Sequence, residues 1–315
     1  MKQLFALLVI VVVAVVVCAE ALAIPPGGPP GDKTAGGGKD RIQPPPPMGV
    51  SLVKGILVKS EVEGGSHWLT LVVTSASGGA TEAQSLLKDL GTLVPFRVTC
   101  RKEQTGLDLG RLATVQCHLS GADGVSGFEE GGETIGIAVA PQYGEKVTMG
   151  AQPEYDVMER ILKDSTSEEA RSLTADVLIG LPGKRSSKAL TQAVYDISTD
   201  IRLKASRELV ARQYEPAIEV LEALVSHDIA DQLPYQIALA EILAEGGYKS
   251  GLEFLLRHLN DEEQGTVLAV VGALGKAGGA AEADTLEQLA AKTDNTDIAE
   301  AARQAAQQIH DRLGK

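Results

Sequence analysis

The chain has 315 residues, 44% hydrophobic and only 3% aromatic, with a formal net charge of −13. That length holds one elongated unit or two to three compact domains, and so few aromatic anchors point to many small helix contacts. Residues 151–315 carry 17 Lys+Arg against 28 Asp+Glu, and so acidic a half repels phosphate backbones, which argues against nucleic-acid binding there.

Residues 1–23 read as a signal peptide. Lys2 supplies a positive end, Leu4 to Val17 is an unbroken apolar run, and Ala21-Leu22-Ala23 is the small-x-small pattern of a cleavage site. The run is short for a membrane span, which needs about 20 apolar residues. These features predict cleavage after Ala23, a periplasmic, cell-envelope or secreted protein, and no span afterwards. Val17 is too bulky before Cys18 for lipoprotein processing. Residues 24–48 hold eight of the 14 prolines, a composition that cannot bury a core and predicts a disordered linker, stiff at Pro44–Pro47.

Residues 49–149 read as a small β domain. "LVKGILVKSEV" and "SHWLTLVVTS" are rich in β-branched residues and flank Gly64-Gly65, a hairpin signal. "ATEAQSLLKDLG" reads as a short helical insert. "LVPFRVTCRKE" and "GRLATVQCHLS" suggest a second hairpin, in which Val98 and Cys100 share one face and Arg97, Thr99 and Arg101 the other, and "ETIGIAVAP" suggests a last strand. About five strands predict a small antiparallel barrel or sandwich. Arg97, Arg101, Lys102 and Arg111 read as a solvated strand face, because Trp68, Phe96, Phe128 and Tyr143 are too few for a base-stacking platform.

Cys100 and Cys117 are the cysteines left after cleavage. Export makes a disulfide between them the expectation, worth about 3 kcal/mol for a loop of that length; two free buried thiols are the alternative. His118 follows Cys117 but points to the opposite strand face, so no Cys–His nucleophile is expected. His67, His118, His227, His258 and His310 are scattered without zinc-type spacing. "GFEEGGETIG" lacks the alternating ligands of a calcium loop and reads as a surface loop. No cofactor, metal or catalytic cluster is expected.

Residues 154–313 read as helices throughout. "GTVLAVVGALGKAGG" comes near a phosphate-binding loop, but Val270 stands where its first glycine belongs and Ala277 where its hydroxyl belongs. A repeat fits better. Leu178, Leu209, Ile242, Leu274 and Ala306 recur at spacings of 31, 33, 32 and 32, and Thr174, Ala205, Ala238, Val270 and Ala302 lie four residues before them. A four-residue step keeps each pair on one helix face, and the smaller residue lets a neighbouring helix approach. A first helix precedes each: "YDVMERILKD", "KALTQAVYDI", "PAIEVLEALVSH", "SGLEFLLRHLND" and "ADTLEQLAAKT". Ser, Thr, Asp and Asn in the joining loops supply N-caps, and "GLPGK", "EGGYK" and "KAGGAA" supply glycine stops. Lys276 then sits at a helix C-terminus, where a cation complements the dipole.

Five helix pairs of about 32 residues resemble HEAT repeats, most of all the short-period kind of bilin-lyase-related families. "TDIRLKASRELV" and "VLAVVGALGKAG" carry the resemblance, and the family's Asp-x-Arg element is met only at Asp200 and Arg202. The first two β segments together resemble an OB-type barrel, with the helix earlier than that family places it. The expected fold is thus α+β and multidomain, a small β domain followed by an all-α solenoid. The expected function is a non-enzymatic scaffold for protein partners, of undetermined oligomeric state. The resemblances also imply two alternatives, a bilin-lyase-like enzyme or a ligand-binding OB-like domain.

Overall fold

The computed structural model describes residues 49–78, 93–100, 103–119, 125–130, 133–226 and 232–314. The signal peptide, the linker and the helical insert at 80–91 lie outside them. The described residues all fall within one compact unit, Pro46–Lys315. Six strands come first: β1 (Gly49–Glu63), β2 (Ser66–Gly78), β3 (Pro95–Cys100), β4 (Arg111–Leu119), β5 (Val125–Glu130) and β6 (Glu133–Pro153). Ten α-helices follow among the described residues: α1 (Tyr155–Asp164), α2 (Glu168–Gly180), α3 (Lys184–Leu190), α4 (Thr199–Ala211), α5 (Glu215–Ser226), α6 (Leu233–Glu245), α7 (Lys249–Arg257), α8 (Gln264–Ala277), α9 (Ala280–Lys292) and α10 (Thr296–Leu313).

The strand order is β3-β2-β1-β4-β6-β5, and β3 also pairs with β6. β1 and β2 form the expected hairpin, turned by Gly64 and Gly65 at φ of 58° and 80°, the left-handed backbone that such a turn requires. The second expected hairpin does not form. β3 pairs antiparallel with β2 and parallel with β6, while β4 pairs with β1 and β6. The two segments are neighbours in sequence only, because the long β6 lies between them. "GFEEGGETIG" is also not a plain loop: Val125–Glu130 is a strand paired with β6. The last strand runs on to Pro153, well past the nine residues its sequence suggests.

The middles of β1 and β2, residues 55–58 and 69–73, are buried on both faces, which explains their continuous apolar runs there. Val53, Leu57, Leu69, Leu71 and Val73 join the sheet's own core with Phe96, Val98 and Val115. Ile56, Val58 and Val72 turn the other way, into a second core shared with Met158, Ile161 and Leu162 of α1. Gly55 is needed there, because a Cβ at that position would lie 2.4 Å from the Val72 carbonyl oxygen. Two hydrogen bonds complete the junction: Ser165 Oγ donates to Leu93 O at 2.7 Å and the Glu154 amide to Gly110 O at 3.0 Å. The sheet thus packs directly against the first helix pair.

The helices pair as α1/α2, α3/α4, α5/α6, α7/α8 and α9/α10, with short 3₁₀ turns at Thr191–Tyr195 and His258–Asn260. Each second helix contacts the next one along the chain, α2 to α4 to α6 to α8 to α10. All five anchors are buried: Leu178, Leu209 and Leu274 are fully enclosed, with Ile242 and Ala306 nearly so. Ala238 is the exception among the smaller partners, being half-buried. Gly275 serves packing and not phosphate binding, since a Cβ there would lie 2.9 Å from Ala305 Cβ on α10. Two of the expected caps form: Ser167 Oγ accepts from the Ala170 amide, and Asn295 Oδ1 from the Asp297 and Ile298 amides.

Cys100 and Cys117 are free, buried thiols. Both stand in register with Gly144 of β6, one from each side. One strand therefore separates them, and two strand spacings of about 4.8 Å exceed the reach of about 7 Å over which Cα atoms can be bridged. Burial pushes the Cys100 thiol up to about 11; burial, with the neighbouring Cys100 as a lesser cause, pushes Cys117 up to about 12.

Two predictions follow from this packing. Leu209→Ala should destabilise the chain by about 2–5 kcal/mol in urea unfolding, whereas the exposed Asp200→Ala should change it by less than about 0.5 kcal/mol; equal effects would contradict the repeat register. The thiols give a pH dependence. Between the unfolded thiol value near 9 and the folded values of about 11 and 12, the unfolded state releases protons that the folded state keeps, so stability falls as pH rises through that window. A Cys100→Ala/Cys117→Ala variant should show a shallower fall in urea midpoint from pH 8 to pH 10.

Candidate functional site

On the exposed side of the second helices, charge is settled between neighbouring repeats. Lys204 Nζ of α4 lies 2.8 Å from Asp176 of α2, Arg207 of α4 lies 2.9 Å from Glu245 of α6, and Lys276 of α8 lies 3.0 Å from Glu241 of α6. Lys276 is in the last helical turn as expected, and its amine reaches the previous repeat as well. Exposed pairs of this kind contribute about 0–1 kcal/mol each, so they specify register more than they stabilise. Their consequence for binding is that the cations of α4 and α8 on this face already have partners.

Arginines at the ends of second helices hold the preceding repeat. Arg212 follows α4 and donates to the Leu178 and Ile179 carbonyls at 3.1 and 2.6 Å, and to the Ser186 and Ser187 hydroxyls. Arg312 in α10 donates to the carbonyls of Gly275, Lys276 and Gly278. The last carbonyls of a helix have no partner within it and carry its negative end, so each guanidinium satisfies both needs at once.

The most distinctive surface lies at the turn between α3 and α4. Asp196 is buried there, and its carboxylate takes a two-point bond from Arg171 of α2, Nε at 2.7 Å and Nη2 at 3.2 Å. Arg171 Nη1 also donates to Ser165 O at 2.9 Å, which ties the turn of the first pair to that of the second. Asp196 Oδ1 accepts from the Ser198 amide, and Asp196 O accepts from Arg202. Arg202 in turn lies over the Tyr235 ring, 4.2 Å from its centroid. So fixed, the turn holds Tyr195 60% exposed and Ile197 84% exposed. A cavity of about 340 Å³ lies on one side of Tyr195, lined also by Tyr214 and Pro216. Tyr195 also lines a second cavity of about 460 Å³, together with Leu162, Ser165 and Ile197. Two large apolar side chains on a rigid turn beside two hollows form a surface suited to docking.

Asp200 and Arg202, which match the family's Asp-x-Arg element, both lie in α4. Asp200 is exposed in the first turn of α4; the aspartate that meets arginines is Asp196, four residues earlier. Arg171 and Arg202 sit 31 residues apart, at equivalent places in successive second helices, and each donates to the carbonyl six residues before it, Ser165 O and Asp196 O. The signal was present in "YDISTD", where an aspartate precedes the capping residues, but it does not follow the family spacing. Arg97 and Arg111 are the described members of the expected basic strand face. Arg97 sits over the Trp68 ring at 4.3 Å and is bridged to Glu61 and Glu63, while Arg111 is bridged to Asp108; Arg101 and Lys102 lie outside the described residues. Thr99, expected on that exposed face, is fully buried.

The histidines whose side chains are described, His67, His258 and His310, stay separate. His67 Nε2 lies 2.9 Å from Ser60 Oγ, and its Nδ1 accepts from the Gln104 amide. His258 lies 3.5 Å from Asp261, and His310 lies 3.1 Å from Glu287. Among the described residues no three His, Cys, Asp or Glu side chains converge as a metal site requires. No helix among them is long and apolar enough to cross a membrane.

Compared with known families, residues 230–307, about a quarter of the chain, match HEAT repeats. That stretch contains α6 to α9 and most of α10, so it holds the repeat anchors Ile242, Leu274 and Ala306. No curated protein matches the chain.

The turn can be tested directly. Asp196→Ala should destabilise the chain by about 3–5 kcal/mol in urea unfolding, because it strands a buried guanidinium. Lys204→Ala should cost no more than about 1 kcal/mol, since its pair is exposed. Similar losses for the two variants would show that the Asp196 pair does not hold this turn.

Proposed function

We propose that this chain is an exported, non-catalytic scaffold whose helix pairs form a solenoid that docks a protein partner. The observation that carries the reading is the exposure of Tyr195 and Ile197 on a turn locked by the buried Arg171–Asp196 pair. Partners are commonly taken on the continuous surfaces of helical repeats, and the HEAT match at residues 230–307 supports a repeat of that kind. Residues 1–23 support export, and the proline-rich residues 24–48 support a spacer between the cleavage point and the sheet. The strand pairings run in a cycle, β1 to β2 to β3 to β6 to β4 and back to β1, which supports a small closed barrel of the OB kind.

A photo-activated phenylalanine analogue at position 197 of the full chain, irradiated in its own host cells, tests the reading. A discrete protein adduct is expected from position 197 and none of the same mass from position 307, an exposed site on α10. Tyr195→Ser should weaken the adduct at least about fivefold, as loss of an aromatic anchor does. No adduct at position 197, or the same adduct from both positions, would overturn the proposal.

A further inference from the structure

We propose that the smaller cavity beside Tyr195 binds an extended, proline-rich segment of a protein partner, with a basic residue next to its prolines. The proposal rests on the reading of Tyr195 as a docking residue and names the class of peptide that this site takes. The cavity, about 340 Å³, is lined from three successive helix pairs: by Glu159 of α1, by Lys188 of α3 with Gln192 and Tyr195 after it, and by Tyr214 and Pro216 where α4 gives way to α5. Different turns fix the two tyrosines. The Arg171–Asp196 pair holds the turn of Tyr195. Gln213 lies at a φ of 52° and the Tyr214 amide donates to Leu209 O at 3.1 Å, which sets Tyr214 at the end of α4. Two tyrosines and a proline make an apolar floor, with Tyr195 itself 60% exposed.

The polar groups around that floor decide which backbone fits. The side chains of Gln192, Tyr195 and Tyr214 carry hydrogen-bond donors that have no partner among the described residues. A helical peptide spends its carbonyls on its own hydrogen bonds, its last turn apart. A strand is taken by pairing at a sheet edge, and this cavity is lined by helices and turns alone. Polyproline II makes no internal hydrogen bond, so all its carbonyls are open, and its rings match an aromatic floor. Glu159 sets the charge. It is half-buried and makes no ion pair among the described residues, whereas Lys188 is exposed and stays in water. A half-buried carboxylate is stabilised by a cation brought beside it, so the partner places Lys or Arg next to its prolines.

The test is a selection of random peptides displayed on phage against the immobilised full chain, followed by an anisotropy titration of the most enriched peptide. Peptides of the P-x-x-P kind with an adjacent Lys or Arg are expected to dominate the selected pool. Tyr195→Ser should weaken the titrated peptide at least about fivefold, the scale of a lost aromatic anchor. The same variant should leave the unfolding midpoint unchanged, since the ring is mostly exposed. Glu159→Gln should weaken the peptide by about threefold to tenfold. A version of the peptide with alanine in place of its basic residue should not sense that change. A selected pool without proline, no enrichment over the starting library, or a titration unchanged in Tyr195→Ser would overturn the proposal. The two readings fail separately. A cellular adduct at position 197 without proline enrichment keeps the docking surface and removes this peptide class; proline-rich binding that depends on Tyr195, without an adduct, does the reverse.

Discussion

A pair of helices about 32 residues long cannot enclose its own apolar faces, so each pair here depends on what lies beside it. Within the chain the next pair supplies that cover through successive second helices. Among the described residues no helix pair precedes α1 and α2, and the sheet covers them by turning Ile56, Val58 and Val72 outward onto α1. The last described helix, α10, exposes Glu300, Arg303, Gln304 and Gln307, a polar face. Sheet and helices are therefore parts of one continuous burial, and the turn that carries Tyr195 and Ile197 is held from the first pair as much as from its own.

Charge is used in two ways along the same helices. On the exposed face, ion pairs such as Lys204–Asp176 and Lys276–Glu241 join neighbouring repeats at little energetic consequence. At the turns, two arginines are buried or half-buried and held by several acceptors: Arg171 by a carboxylate and a carbonyl, Arg212 by carbonyls at the end of α2. A buried guanidinium tolerates few geometries, because each donor left over is costly. That strictness is what makes the Asp196 turn rigid enough to keep two large apolar side chains in water.

The helical part was largely legible in the sequence because its signal is periodic. Leu178, Leu209, Ile242, Leu274 and Ala306 mark the repeat by size and spacing alone, and all five are buried. The sheet was legible in its segments but not in its pairings. Neighbours in sequence suggested a β3–β4 hairpin, whereas β6 inserts between them, and no local pattern announces an insertion by a strand more than thirty residues away. The alternation rule also misplaced Thr99, since a strand covered on both sides has no exposed face. The candidate surface was the least legible part. Exposure of Ile197 and burial of Asp196, adjacent residues in one turn, depend on Arg171, which is 25 residues away. Composition pointed only to a polar loop with caps, and the family spacing pointed to Asp200.

Hydrogen exchange, read by mass spectrometry on the full chain and on a 154–314 fragment, tests the claim of one continuous burial most directly. If the sheet covers the first helix pair, removing it strips protection from α1, α2 and the Asp196 turn, while α6 to α10 keep theirs. Unchanged protection of α1 and α2 in the fragment would show that the helices close their own end and that the sheet is merely attached.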